Sequence, residues 1–447
     1  MASGPMSGEQ RNSFFSRLRF KVTTCFFLFF TLHFSLTFWL AAEVTTLENG
    51  LTLLIEKNTI NDSTALCLLA SGGRLTEPPG KEGLGYLVLR LGLDPPDSGY
   101  LREFMKTGAE TRVASRGDFL LISVECPSAQ FETTIKLIHR TLSRPIFSGI
   151  RINSLKQIMK NSQKKETDDV DSRAEVSLLA AFFGSQGYGA SSFGTEASVE
   201  AIKGEDVVTY YRRHFVGSNL ILSVVSDLEP EKIKSVIKAT FGGWTKGEKI
   251  TPPLPEIQLP ENREINLEKE AKTAYLAVAF PLPPLTQDNF VLAHILEQSL
   301  GGGPEAKVWS LRWREKLAYE VGSKAILMKS GGCLFIYLKT LATKLSLAKE
   351  KLQEIIEAIA QNGLNPEEVE IGREAYRFSV YKSQEMKRQR AEALALYSGF
   401  GWGIDFDKFI LNKIDNLSWP EISDYISAVV DLKRAVFLTI GPKGAVN

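Results

Sequence analysis

The feature that most restricts this chain's fold is a repeat: the order of elements read from the first half returns in the second. Val44–Glu56 and Thr64–Ala70 are rich in Leu, Ile, Val and Thr and read as strands, with Asn58–Ser63 between them as a hairpin loop. Gly83–Leu93 predicts a helix and Tyr100–Thr107 a second one. Gly108–Val113 and Asp118–Cys126 predict paired strands, separated by Ser115-Arg116-Gly117. Pro127–Arg144 places Phe131, Ile135, Leu137, Ile138 and Leu142 at helical spacing. A long helical region over Arg151–Phe183 breaks near Asp168–Asp171. A helix over Ser198–His214, capped near Gly204-Glu205-Asp206, and a strand over Asn219–Val225 complete the unit. Then the order recurs: strand Lys272–Phe280, helix Asp288–Leu300, and the strand pair Tyr319–Leu327 and Gly332–Lys339. Helices Ser346–Asn362, Pro366–Phe400 and Trp419–Val430 and the strand Arg434–Ile440 finish it. A duplicated unit of roughly 200 residues, alternating strand pairs with helices, predicts an α+β protein of two homologous domains with mainly antiparallel sheets.

Thr251-Pro252-Pro253-Leu254-Pro255 through Pro260 holds four prolines and favours an extended, semi-rigid tether over packed structure. The expected organisation is an N-terminal segment 1–42, a first domain 43–248, a Pro-rich linker 249–264 and a second domain 265–447. Arg11, Arg17, Arg19 and Lys21 precede an apolar run from Val22 to about Ala42 that lacks Asp, Glu, Lys and Arg. This is the pattern of a signal peptide or a membrane anchor. Trp39 or Leu40 in the first small position argues against cleavage, whereas Thr23, Thr24, Thr31, Ser35 and Thr37 argue against a permanent span. Both alternatives stay open. Each predicts an exported chain, periplasmic or membrane-anchored, with its domains outside the cytoplasm.

The net charge of +1 implies no polyanionic partner, and no basic stripe with interleaved aromatics points to nucleic acid. Cys25 lies in the apolar run. Cys67, Cys126 and Cys333 are an odd set without metal-type spacing, and buried free thiols are the expectation. The chain has no Gly-x-Ser-x-Gly elbow, phosphate-binding loop or Cys-x-x-Cys pair.

Four short stretches then stand out: Asn49-Gly50-Leu51-Thr52-Leu53; Ser71-Gly72-Gly73-Arg74 with Glu77; Gly83-Leu84-Gly85-Tyr86-Leu87-Val88-Leu89-Arg90; and Leu300-Gly301-Gly302-Gly303 with Arg314-Glu315-Lys316-Leu317-Ala318-Tyr319. Together they resemble the M16 zinc peptidases, the insulinase, pitrilysin and mitochondrial processing peptidase group, over roughly residues 44–445. The resemblance implies two M16-type (LuxS/MPP-like) α/β domains facing each other across a cavity. It also implies a His-x-x-Glu-His motif on the helix after Gly83. Residues four apart share one helix face, so two histidines hold zinc and the glutamate activates a bound water. Here those positions are Tyr86, Leu89 and Arg90, a degenerate motif without a ligand set. The family's distal zinc-binding glutamate aligns near Gln157, with Glu166 as the acidic competitor. His139 and His214 read as surface or interface residues. His294 and Glu297 keep the first two members of a zinc helix, but Gln298 stands at the third.

The resemblance therefore implies a non-catalytic subunit with neither catalytic residues nor metal of its own. It would pair as a heterodimer with an active homologue that alone carries zinc. Arg314 and Tyr319 would bind the peptide substrate, with Arg312 competing for the register. The alternative is a peptide-binding or structural assembly protein of this fold without a catalytic partner. For the glycine loop and Arg314–Tyr319, helix capping and packing alone remain the other reading.

Overall fold

A computed structural model describes residues 42–259 and 264–444. The basic flank and nearly all of the apolar run lie outside the described residues. None of the described helices is long and apolar enough to cross a membrane.

The first half begins with strands β1 (Glu43–Thr46), β2 (Thr52–Lys57) and β3 (Ser63–Ser71), helices α1 (Leu84–Gly92) and α2 (Ser98–Lys106), and strands β4 (Glu110–Ser115) and β5 (Phe119–Pro127). Helices α3 (Phe131–Ser143), α4 (Gly149–Asp168), α5 (Val170–Phe183), α6 (Glu196–Ala201) and α7 (Gly204–His214) follow, then strand β6 (Leu220–Ser226) and helix α8 (Pro230–Phe241). The second half comprises β7 (Glu264–Glu268), β8 (Thr273–Leu282), α9 (Gln287–Gly301), α10 (Ser310–Trp313), β9 (Glu320–Met328) and β10 (Gly331–Leu341). It ends with α11 (Leu345–Asn362), α12 (Pro366–Glu385), α13 (Lys387–Phe400), α14 (Phe406–Asn416), α15 (Trp419–Val429) and β11 (Val436–Gly441).

Among the described residues the first sheet has the order β1-β2-β6-β3-β5-β4 and the second β7-β11-β8-β10-β9. The duplication is thus visible in β2-β6-β3-β5-β4 against β7-β11-β8-β10-β9, with β1 an extra edge strand of the first sheet. In each sheet the final strand lies parallel to one neighbour and antiparallel to the other, and the remaining pairs are antiparallel. One expectation fails here. Strands β2 and β3 do not form a hairpin, because β6 inserts between them. Every residue of Leu220–Ser226 is buried, and a strand apolar on both faces belongs in the interior of a sheet.

Both faces of each sheet are covered, which is why β3 and β8 read as unbroken apolar runs. Leu66, Leu68 and Ala70 face the first half's outer core, with α1, α3, α4 and α7, while Ala65, Cys67 and Leu69 face the other way. That second face is covered by α13, from the other half, through Ala391, Leu394 and Ala395. The exchange is reciprocal: α5 places Ala174, Leu178, Phe182 and Phe183 on Tyr275, Ala277 and Ala279 of β8. Each half therefore lends one helix to the other's sheet, and the two halves share their inner cores.

The Pro-rich stretch is fixed to the first half at two points. Residues 249–259 adopt no regular element, but Ile250 is buried, its N–H donates to Asn219 Oδ1 (2.9 Å), and Gln258 N–H donates to Phe182 O (2.8 Å). Cys67, Cys126 and Cys333 are buried free thiols, as expected. Burial pushes the Cys67 thiol up to about 12, so it is an inert apolar group at neutral pH.

Candidate functional site

The site grows from the loop before α1. Gly83 caps this helix with φ 95°, a left-handed conformation that disfavours other residues. The Glu77 carboxylate accepts from Gly83 N–H (3.0 Å) and Gly85 N–H (2.7 Å), satisfying donors that a helix start leaves open. Burial raises the Glu77 carboxyl to about 7, opposed by those two hydrogen bonds and by Arg74. Arg74, nearly buried, donates to Ser115 O (2.7 Å), Ser192 Oγ (2.8 Å) and Gly187 O (3.2 Å). It thereby ties the α1 loop to the turn after β4 and to residues 187–192. Burial lowers its pKa, and Glu77, Glu175, Glu166 and Asp118 oppose the shift.

Along α1, Tyr86 is half-buried with its ring edge-on to Phe193 at 4.9 Å, Leu89 is 1% exposed in the outer core, and Arg90 is exposed. A buried isobutyl group and a guanidinium offer no metal donor, and a single phenol oxygen does not make a ligand set. These residues do not fit zinc.

The distal position near Gln157 is also set apart. Helix α4 packs through Ile152, Leu155 and Met159, whereas Gln157 is exposed off that face. Glu166, further along the helix, is held by Ser191, whose Oγ donates to it at 2.6 Å, and burial raises its pKa.

Tyr86 opens onto a cavity of about 590 Å³ between the two halves. His294 of α9 lines the same cavity from the opposite half. The two residues that occupy the first motif position in each copy of the repeat thus share one space. His294 Nδ1 lies 2.9 Å from Glu297 Oε2, and its ring stacks on Tyr376 (5.1 Å) and meets Phe290 edge-on (4.6 Å). Among the described residues, no group of three His, Cys, Asp or Glu could hold a metal ion. His214 is not a surface residue. It is fully buried, with Nε2 2.7 Å from Thr76 Oγ1 and Nδ1 2.8 Å from Tyr210 O. His139 is partly buried against Phe241 and Trp244.

Arg314 and Tyr319 do not line this cavity. Both are exposed, Arg314 over the Trp313 ring at 4.9 Å and Tyr319 at the threshold of β9, its N–H donating to Lys339 O (3.0 Å). Arg312 sits over Trp309 at 5.1 Å. The preceding glycine loop has a packing reason: a Cβ on Gly301 would stand 2.4 Å from Ser323 N, so the end of α9 could not approach β9. Sequence reasoning missed Arg116, Asp118, Glu175 and Lys324, all on the cavity wall. Only Arg116 carried a signal, as part of the turn Ser115-Arg116-Gly117.

Residues 201–376 match the family described as "Peptidase M16 inactive domain". An "Uncharacterized zinc protease" of Rickettsia felis is 22% identical over 386 residues, covering 85% of this chain and 93% of that protein. The "Non-peptidase homolog YmxG" of Helicobacter pylori is 21% identical, covering 72% of this chain and 75% of its own. Among solved structures, the peptidase M16 inactive domain from Pseudomonas fluorescens superposes with a TM-score of 0.79 at 17% identity, covering 91% of this chain and 99% of that one. A chain of Complex III2 from Candida albicans gives 0.77 at 16% identity, covering 89% and 95%.

Proposed function

We propose, from the premise that this chain is an M16-family protein carrying that family's inactive domain, that it is the non-catalytic member of a heterodimeric metalloendopeptidase. The observation that carries this reading is the α1 surface: Leu89 is buried in the core, Arg90 is exposed and Tyr86 packs on Phe193. A zinc-bearing homologue would supply the metal and its activated water. This chain would supply Arg314 and Tyr319, whose exposure leaves them available to a group outside the chain. The guanidinium would give a charge-assisted hydrogen bond to the peptide and the phenol a donor near a substrate carbonyl. Trp313 and Tyr319, at 57% and 49% exposure, together with Arg314 are the residue types that concentrate interface energy. Peptide would bind extended along a sheet edge, and β4 and β9 are outer strands of their sheets. Export of the chain, by cleaved signal or retained anchor, belongs to the same proposal.

A structural assembly role is the second reading, favoured by the likeness in fold to a chain of Complex III2. One experiment separates the two. The chain is mixed with an M16 homologue bearing an intact His-x-x-Glu-His motif, and cleavage of a mixed peptide library is followed. Arg314→Ala with Tyr319→Ala should reduce partner-dependent cleavage about tenfold or more, as loss of charge-assisted contacts predicts. Unchanged cleavage, with the heterodimer intact, would reject the substrate-binding role and leave the assembly role.

A further inference from the structure

Most polar groups on the wall of the cavity between the halves are already engaged. Arg74 is committed to Ser115, Gly187 and Ser192. Asp118 accepts from the Tyr188 hydroxyl (2.6 Å) and Lys329 N–H (3.2 Å), and Lys324 pairs with Glu175. Four groups are left: the Tyr86 hydroxyl, the buried Ser115 Oγ, and the two that can take up charge or a ligand N–H, Arg116 and His294. The exposed Arg116 side chain has no hydrogen bond or ion pair among the described residues, and His294, with Nδ1 turned to Glu297, has Nε2 without a protein partner there. Arg74, Arg116 and Lys324 against Asp118 and Glu175, three cations less two anions, leave one positive charge over.

The turn that carries Arg116 is held in place. Arg116 N–H donates to Phe119 O (2.8 Å), Arg74 N–H donates to Arg116 O (2.9 Å), and Leu75 N–H donates to Gly117 O (3.2 Å). The apolar walls come from both halves and include five aromatic rings, Tyr86, Phe119 and Phe193 from the first and Phe290 and Phe400 from the second, beside aliphatic side chains such as Leu179 and Ile326. A volume of about 590 Å³ lies within the ordinary size range of small-molecule sites.

We propose that this cavity binds an amphipathic carboxylate with an aromatic body. The carboxylate pairs with Arg116, which can present two parallel N–H donors to it. The body lies against the Phe rings, where offset and edge-on contacts add to area burial. With Nδ1–H donated to Glu297, His294 Nε2 accepts from an N–H of the ligand. Two sources share this chemistry: a free aromatic acid and the C-terminal carboxylate of an apolar peptide. The site needs no partner chain, so it stands apart from the proposed heterodimer.

Calorimetric titration of the full chain with 2-naphthylacetate, acetyl-Phe-Phe and acetyl-Phe-Phe amide tests this. At least one of the two acids should bind at one site, and the amide about tenfold more weakly than its parent acid. Arg116→Gln should remove that advantage and leave binding of the amide unchanged, while Arg102→Gln, outside the cavity lining, should change nothing. His294→Gln should weaken acetyl-Phe-Phe and spare 2-naphthylacetate, which has no N–H to offer. Binding confined to one acid identifies the source. Equal binding of peptide acid and amide, failure of both acids to bind at millimolar concentration, or full acid affinity in Arg116→Gln would overturn the proposal.

Discussion

Glu77 and Arg74 have structural duties at α1 that depend on no chemistry there. Glu77 caps the start of α1 and Arg74 joins three loops, so both are needed for the helix to sit where it does. Tyr86 and Leu89 serve packing instead, on Phe193 and in the outer core, and Arg90 is exposed. His214 belongs with the structural pair. Burial lowers its pKa from 6.5 to about 4, so it is held neutral against Thr76. The unfolded chain then binds more protons than the folded one between those values, and stability is lost as pH falls from 6.5 towards 4. The total is about 3 kcal/mol. Urea melts at pH 7, 5.5 and 4.5 should show wild type losing that stability relative to His214→Gln; parallel pH profiles would contradict a neutral buried imidazole. Glu77 acts in the opposite sense, because its raised carboxyl lowers stability as pH rises from 4.5 to about 7. The comparison must therefore be made against the variant and not read from wild type alone.

At the scale of elements, the exchanged helices hold the two halves together, and the start of α13 is the most heavily charged contact. Arg390, 5% exposed, binds the Glu56 carboxylate of β2 through its Nε and one terminal nitrogen at 2.7–3.0 Å, and it pairs with Asp407. Lys387 donates to Asn61 O and Ser63 O at 2.6 Å. Replacing Arg390 with Met leaves two largely buried carboxylates unpaired and should cost about 3–5 kcal/mol in urea unfolding. Adding Glu56→Gln and Asp407→Asn should recover part of the loss; no recovery would mean that packing, not charge, fails in the single variant.

This contact also marks what could be read from sequence. Most of the strand and helix order followed from apolar periodicity, and the exchanged helices were seen as helices, but helices α8 and α14 were not anticipated. Nothing local indicated that α5 and α13 cover the opposite sheet, since an apolar helix face does not name its partner. Strand β7 was missed although Glu264-Ile265-Asn266-Leu267-Glu268 alternates, because it is short and follows the prolines. The degenerate motif was legible because its positions are contiguous. The cavity was not, because Arg116 and Lys324, or Tyr86 and His294, meet only when the halves close.

On the scale of the whole molecule, the duplication yields two sheets, two outer cores and a shared interior, with the motif position of each copy facing one cavity. Neither copy carries a complete zinc helix: the first has Tyr86, Leu89 and Arg90, the second His294, Glu297 and Gln298. The central claim is that this scaffold is non-catalytic alone and acts through a partner. The most direct measurement takes the purified full chain and records its zinc content and its cleavage of a mixed peptide library, alone and then with a motif-bearing homologue. The account predicts no stoichiometric zinc and no cleavage by the chain alone, and more cleavage in the mixture than the homologue gives by itself. Tightly held zinc with chelator-sensitive cleavage by the isolated chain would contradict it and direct attention to His294 and Glu297.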